Sequence, residues 1–291
     1  MSARPLVVCV DDFGLHAGVN AAVLDLLALR RISATSCLVD GPSWPEAAPA
    51  LKAAAHALGP SGERVADVGL HLNLTESFQA DAQAAWPVQP LGRLIRLAYS
   101  RRLDPQALQT EIARQWDRFV EVWGQAPDFV DGHQHVHQLP QVREALVRVM
   151  RAKLTDAKGR PWVRCCRAPA WQPGAESTLQ DAFKAWVIER LGANRLADLV
   201  QGQGWRCSQH LLGVYPFDAD AAGYGRRWQG WLQQVADPGD VLMCHPAKPG
   251  WSDMAESDPI AASRVMEYQV LASEAWATWL QQADVQVRRW A

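Results

Sequence analysis

The sequence contains no GxGxxG turn and no P-loop, so nothing in it supports nucleotide binding. It has no HExxH, which counts against a zincin protease, and no GxSxG nucleophile elbow. No run of 18 or more apolar residues occurs, so no membrane-spanning helix is expected. Charge of one sign is not in excess. The formal net charge is −2 and the pI about 6.4, leaving no overall electrostatic footprint for nucleic acid or an anionic membrane. The six cysteines form no CxxC pair and no framework spacing, and several lie in apolar runs. Reduced core thiols in a cytoplasmic protein are the expectation. Met1-Ser2-Ala3-Arg4-Pro5 runs directly into an acid-terminated strand, so no signal peptide is expected.

What is present is a long alternation of strand-like and helix-like segments. The chain has 291 residues, of which 48% are hydrophobic, ample for a large core and ordinary for an α/β barrel. Strands are expected at 6–11, 35–39, 65–72, 129–131, 162–167, 209–214, 241–244 and 285–290. Helices are expected at 18–30, 45–58, 105–123, 140–150, 178–191, 224–235 and 260–281, on apolar residues at helical spacing such as Leu108, Ile112, Trp116 and Phe119. About seven or eight βα repeats argue for an α/β fold with a parallel sheet, open or closed into a barrel. Residues 76–104 lack clear periodicity and contain Pro87, Pro90 and Gly92, so they read as an insertion or lid on one domain spanning 1–291. Of the fourteen tryptophans, Trp116, Trp123, Trp276 and Trp279 fall in helical patterns and read as packing. A loop tryptophan such as Trp171 is a candidate for lining a sugar cleft.

Polar residues able to do chemistry recur at strand ends. Asp11-Asp12 closes the first strand; the pair can split metal binding from proton transfer, or can cap a helix. His71 follows Val68-Gly69-Leu70, and alone it fits a hydrogen-bonded core residue as well as a ligand. Asp131-Gly132-His133-Gln134-His135-Val136-His137 is the strongest local signal, because alternate histidines share one face if the tract is extended. A nearby carboxylate can orient such an imidazole from behind. His245, in Cys244-His245-Pro246, is a candidate general acid. Arg167 ends another strand and can orient the aspartates, bind substrate or make a surface salt bridge.

Taken together, Asp11-Asp12-Phe13-Gly14, Gly69-Leu70-His71-Leu72-Asn73-Leu74-Thr75, the 131–137 tract and Cys244-His245-Pro246 resemble the YdjC-like (ChbG/HpnK) carbohydrate deacetylases, in the family's order and across roughly residues 5 to 290. The resemblance implies a distorted TIM-like (β/α) barrel related to the polysaccharide deacetylases, of about seven strands. It implies hydrolysis of an N-acetyl group on an amino sugar, in a chitooligosaccharide or a glycolipid, with one divalent metal. Carried over by position, Asp12, His71 and His133 would be metal ligands, Asp11 the general base and His245 the proton donor. His135 and His137 match the tract and would support the ligands or contact substrate, while Arg167, outside the matching motifs, stays a substrate-binding candidate from its strand-end position. The family points to magnesium, whereas two imidazoles and one carboxylate suit zinc or another transition metal. A homodimer is plausible for the family. Other metal-dependent phosphoesterases or amidohydrolases, and a non-catalytic sugar-binding relative, are the competing readings.

Overall fold

The computed structural model describes residues 3–57, 62, 64–78, 86–154, 161–170, 178–236, 238–251 and 258–290. Its elements in chain order are β1 (Arg4–Phe13), α1 (Ala17–Ala28), β2 (Ala34–Cys37), α2 (Trp44–His56), β3 (Asp67–Leu72), α3 (Leu91–Tyr99), α4 (Pro105–Trp123), β4 (Phe129–Gly132), α5 (Val142–Lys153), β5 (Trp162–Val163), α6 (Leu179–Arg190), α7 (Ala193–Gln201), β6 (Leu211–Leu212), α8 (Ala221–Gln234), β7 (Val241–Cys244), α9 (Ala261–Ala272), α10 (Glu274–Gln282) and β8 (Val285–Val287).

The strands run in the order β5-β4-β3-β2-β1-β7-β6, with β8 paired to the start of β1, and every pairing is parallel. This is the curved seven-strand half-barrel of a distorted TIM-like fold, with helices outside. Its two edges meet through one bridge, Val163 with Cys207, in the segment entering β6. Parallel strands are covered on both faces, so β2, β3, β4 and β7 are buried along their whole length and β1 along all but its first two residues.

Local chemistry explains most boundaries. Asp104 caps α4 by accepting from the backbone of Gln106 and Ala107, Pro105 starts it, and Gly124 ends it at φ 85. Thr178 and Asp181 form a reciprocal capping box on α6. At the N-terminal end of the sheet, Phe129 stacks on Trp162 at 4.3 Å and Trp162 on Trp290 at 5.0 Å. Gly69 makes room for this stack, since a Cβ there would sit 2.6 Å from the Phe129 ring. The opposite, C-terminal end carries the polar strand termini, as it does in barrel enzymes.

Several expectations shift. The helix expected at 260–281 is two helices, broken at Ser273, whose backbone is extended (φ −70, ψ 156). The 76–104 segment contains a regular helix, α3, with Leu94 and Ala98 buried. The strand expected at 162–167 is only two residues long, as is that at 209–214, and α7 was not anticipated. Trp116, Trp123 and Trp276 are buried and Trp279 packs against the core. All six cysteines are buried with free thiols. Trp171 lies outside the described residues. Among those described, no helix is long and apolar enough to cross a membrane.

Candidate metal centre and active site

A regular strand would send Asp11 and Asp12 to opposite faces. The structure avoids this with a register shift between Val10 and Phe13 against β2 and with Asp12 at φ 68. Aspartate is one of the few side chains that tolerates that left-handed conformation. Both carboxylates therefore line one cavity of about 810 Å3 at the C-terminal end of the sheet.

Asp12 is the centre of a three-residue cluster. Its Oδ1 lies 3.3 Å from His71 Nε2 and 3.0 Å from His133 Nδ1. Asp12, His71 and His133 each offer a donor atom within 4.8 Å of the others. Every member is held from behind. His71 sits opposite Asp131 in the β3–β4 register, and Asp131 Oδ1 takes its Nδ1 at 2.6 Å, leaving Nε2 facing Asp12. Ser36 Oγ, on β2, lies 3.0 Å from the same Nδ1. Arg264, on α9, donates to Asp12 Oδ2 at 2.8 Å and to Asp258 at 2.5 Å. Glu76 Oε1 stands 3.3 Å from His133 Nε2.

Asp11 is held differently. Arg164 grips it with two parallel bonds, 2.7 Å to Oδ1 and 2.8 Å to Oδ2, and reaches Asp131 Oδ2 at 2.8 Å. Bidentate guanidinium–carboxylate pairing is geometrically strict, so Asp11 is fixed in place. His245 Nε2 approaches Asp11 Oδ2 at 3.8 Å, and its Nδ1 is buried without a hydrogen-bond partner among the described residues. The His245 backbone N–H donates to Glu267 at 2.6 Å, and Tyr215 donates to the same carboxylate at 2.6 Å.

The electrostatics divide these groups into two kinds. Burial alone would raise both aspartates, but Arg164 holds Asp11, and Arg264 with His133 holds Asp12, well below the usual carboxylate range. Burial alone would lower His71 and His133, but the facing carboxylates prevail: Asp131 and Asp12 push His71 up to about 10, and Asp12 and Glu76 push His133 up to about 9. His245 goes the other way, since burial lowers it to about 4 despite Asp11 and Asp12 nearby. The facing carboxylates thus favour positive charge at this cluster, and a divalent ion would supply it. A carboxylate with two imidazoles, each tied by an outer hydrogen bond, is a sound donor set for such an ion. A second cluster, Cys9, Asp11 and Asp131, also has converging donors. There the Arg164 guanidinium already pairs with both carboxylates, and burial raises the Cys9 thiol, which stays protonated.

The histidine tract is not extended. Residues 133–138 form a tight 3-10 turn with Gln134 at φ 52 and His135 at φ 60. The three imidazoles therefore part company. His133 joins Asp12, and His135 lines the cavity with its Nδ1 3.6 Å from Cys166 Sγ. His137 turns into the core, where its Nε2 donates to the Arg164 carbonyl at 2.8 Å. Arg167 lies away from the aspartates and donates to Asn194 at 2.9 Å. The guanidinium on Asp11 belongs to Arg164, three residues earlier. Sequence reasoning also passed over Arg264, Ser36, Glu76 and Glu267. Asp131 was the one available signal for a carboxylate behind an imidazole, although it serves His71 rather than its own tract.

A family model described as YdjC-like protein matches residues 5–282. A chitooligosaccharide deacetylase of Proteus mirabilis is 32% identical over 147 residues, 48% of this chain and 53% of that protein. One from Klebsiella pneumoniae is 32% identical over 152 residues, 52% of this chain and 57% of that protein. The matched stretch spans about half the length of these curated relatives. Among solved structures, a candidate cellobiose-phosphate cleavage protein of Enterococcus faecalis V583 superposes with a TM-score of 0.68 over 99% of this chain and 98% of its own, at 16% identity. That likeness concerns the fold.

Proposed function

Since the chain belongs to the YdjC-like protein family, we propose that it is a metal-dependent hydrolase that removes the N-acetyl group from an amino sugar and releases acetate. The observation that carries this reading is the pairing of the Asp12–His71–His133 donor set with the Asp11–His245 couple in one cavity. The relatives named as chitooligosaccharide deacetylases support an acetylated chitooligosaccharide as substrate class.

Asp12, His71 and His133 would hold the ion. When bound, it would supply the positive charge that acidifies water and polarises an amide carbonyl. Arg264 keeps one Asp12 oxygen occupied and so directs the other toward the imidazoles. Asp11, ionised and immobilised by Arg164, would take a proton from the attacking water. It has little tendency to keep that proton, because Arg164 favours its charged form. His245 is neutral near pH 7, so the proton it gives to the leaving nitrogen must reach it during the cycle. Asp11, 3.8 Å away, is the nearest acidic source. Water oxygen joins the carbonyl carbon, the C–N bond breaks, and the amine leaves with a proton from His245. Glu76, Ser77, Phe78 and Leu91 line the same cavity, supporting a role for the 76–104 segment as part of the substrate wall. Magnesium is the family's expectation, while the donor chemistry favours zinc or another transition metal.

The test is acetate release from N-acetylglucosamine, diacetylchitobiose and a glycolipid-linked N-acetylglucosamine. Metal-stripped protein is used, with Mg, Mn, Co, Ni or Zn restored singly. Metal-dependent release should fall by at least about a hundredfold in Asp11→Asn, the typical scale for a lost general base. Release that is indifferent to metal, or to Asp11→Asn, would overturn the reading.

A further inference from the structure

α6 has two faces with different exposures. Asp181, Ala185 and Ile188 point inward, and Lys184, Ile188 and Leu191 line the wall of the active-site cavity. The outer face presents Leu179, Phe183, Trp186 and Val187, which are 74%, 64%, 48% and 37% exposed. These positions follow helical spacing, so they form one apolar ridge. Phe183 and Trp186 stack at 5.8 Å, and the Arg190 guanidinium lies 5.3 Å from the Trp186 ring.

α3 lies beside this ridge. Tyr99, 51% exposed, donates its hydroxyl to the Arg190 carbonyl at 3.2 Å. At the other end of α3, Leu91 lines the same cavity as α6. Arg93 and Arg96 share the exposed side of α3 with Tyr99, and Arg101 and Arg102 follow it, also exposed. Residues 88–103 contain these four arginines and no acidic residue. The near-neutral total of the chain therefore hides a local segregation of positive charge around exposed aromatics.

We propose that α3 and the outer face of α6 together form a docking surface for an anionic lipid bilayer, placing the cavity mouth at the lipid surface. Aromatic and aliphatic side chains flanked by arginine, on helices too short to span, suit the headgroup boundary of a membrane. A second copy of the chain fits less well. A two-fold contact through this face would set arginines against arginines with no acid in the 88–103 segment to pair them.

The experiment is flotation of the purified full chain with vesicles of phosphatidylcholine alone and with 30% phosphatidylglycerol added, at low and high salt. Binding is expected only with the anionic lipid, weakening as salt rises. Phe183→Ser/Trp186→Ser and Arg93→Glu/Arg96→Glu should each reduce it by about tenfold or more. Neither variant touches the cavity, so hydrolysis of a freely dissolved substrate should be unchanged. Absence of binding to anionic vesicles, or binding unaffected by both variants, would overturn the proposal. So would a concentration-dependent dimer in sedimentation that these substitutions abolish. Flotation needs no turnover, so this result stands apart from the test of the deacetylase reading.

Discussion

Replacing Arg164 with methionine removes the counter-charge of two buried carboxylates at once. Arg164, Asp11 and Asp131 are each almost wholly buried, and the guanidinium lies 2.7–2.8 Å from both acids. At the effective dielectric that describes buried sites, each such pair is worth about 4 kcal/mol of gross attraction, most of it offset by desolvation. Methionine leaves the desolvation and removes the attraction. Breaking a buried pair costs about 3–5 kcal/mol, a large part of a typical stability of about 5–15 kcal/mol. The pH dependence follows from the direction of the Asp11 shift. Its folded pKa is depressed, so its contribution is present above the unfolded value of about 4 and fades as pH falls through the folded value. The gap between wild type and Arg164→Met should be widest near pH 7 and narrow below about pH 4. Urea denaturation with chelator present measures it. Adding Asp11→Asn to the variant should restore at least about 1 kcal/mol, because the stranded charge is gone. A single-variant loss below about 1 kcal/mol at pH 7, or a gap that does not narrow in acid, would refute the reasoning.

Two further outcomes concern the metal. Asp131→Asn keeps the size of the group behind His71 but loses its charge, and should weaken metal affinity by about 10–100-fold, measured by competition with a chromogenic chelator. Because His71 and His133 are raised to about 10 and 9 in the metal-free protein, metal must displace protons from them. Affinity should therefore climb with pH between about 6 and 9, and calorimetry in buffers of different ionisation enthalpy should show proton release; an uptake of protons would contradict the assignment.

Much of the fold was legible because its strands are buried on both faces and its main helix carries its own caps. Asp104, Pro105 and Gly124 mark α4 in the sequence as clearly as in space. The break at Ser273 was not legible, since neither glycine nor proline marks it; its extended backbone belongs to the packing of α9 and α10. Asp12, His71 and His133 stood out as candidates because each ends a strand or follows one, and the family resemblance singled them out as a set. Their supports did not. Arg264 comes from a helix 252 residues beyond Asp12. Arg164 follows a strand only two residues long, so reading that strand as far as residue 167 pointed to the wrong arginine. The histidine tract misled through its own regularity, because period-two spacing means one face only if the backbone is extended. Positive φ at Gln134 and His135 is a property of the turn, and the residue types do not announce it.

The span between Asp12 and Arg264 also sets an order of events at the ribosome. The acid is made first, and its guanidinium partner follows 252 residues later. At about 5–20 residues per second, the delay is about 13–50 s. Throughout that interval Asp12 lacks this partner, although the Arg164 that pairs with Asp11 is made earlier. A product that stops short of α9 keeps β1 to β7 and the histidines but lacks the clasp on Asp12, so the proposed cation site would be completed only late in synthesis.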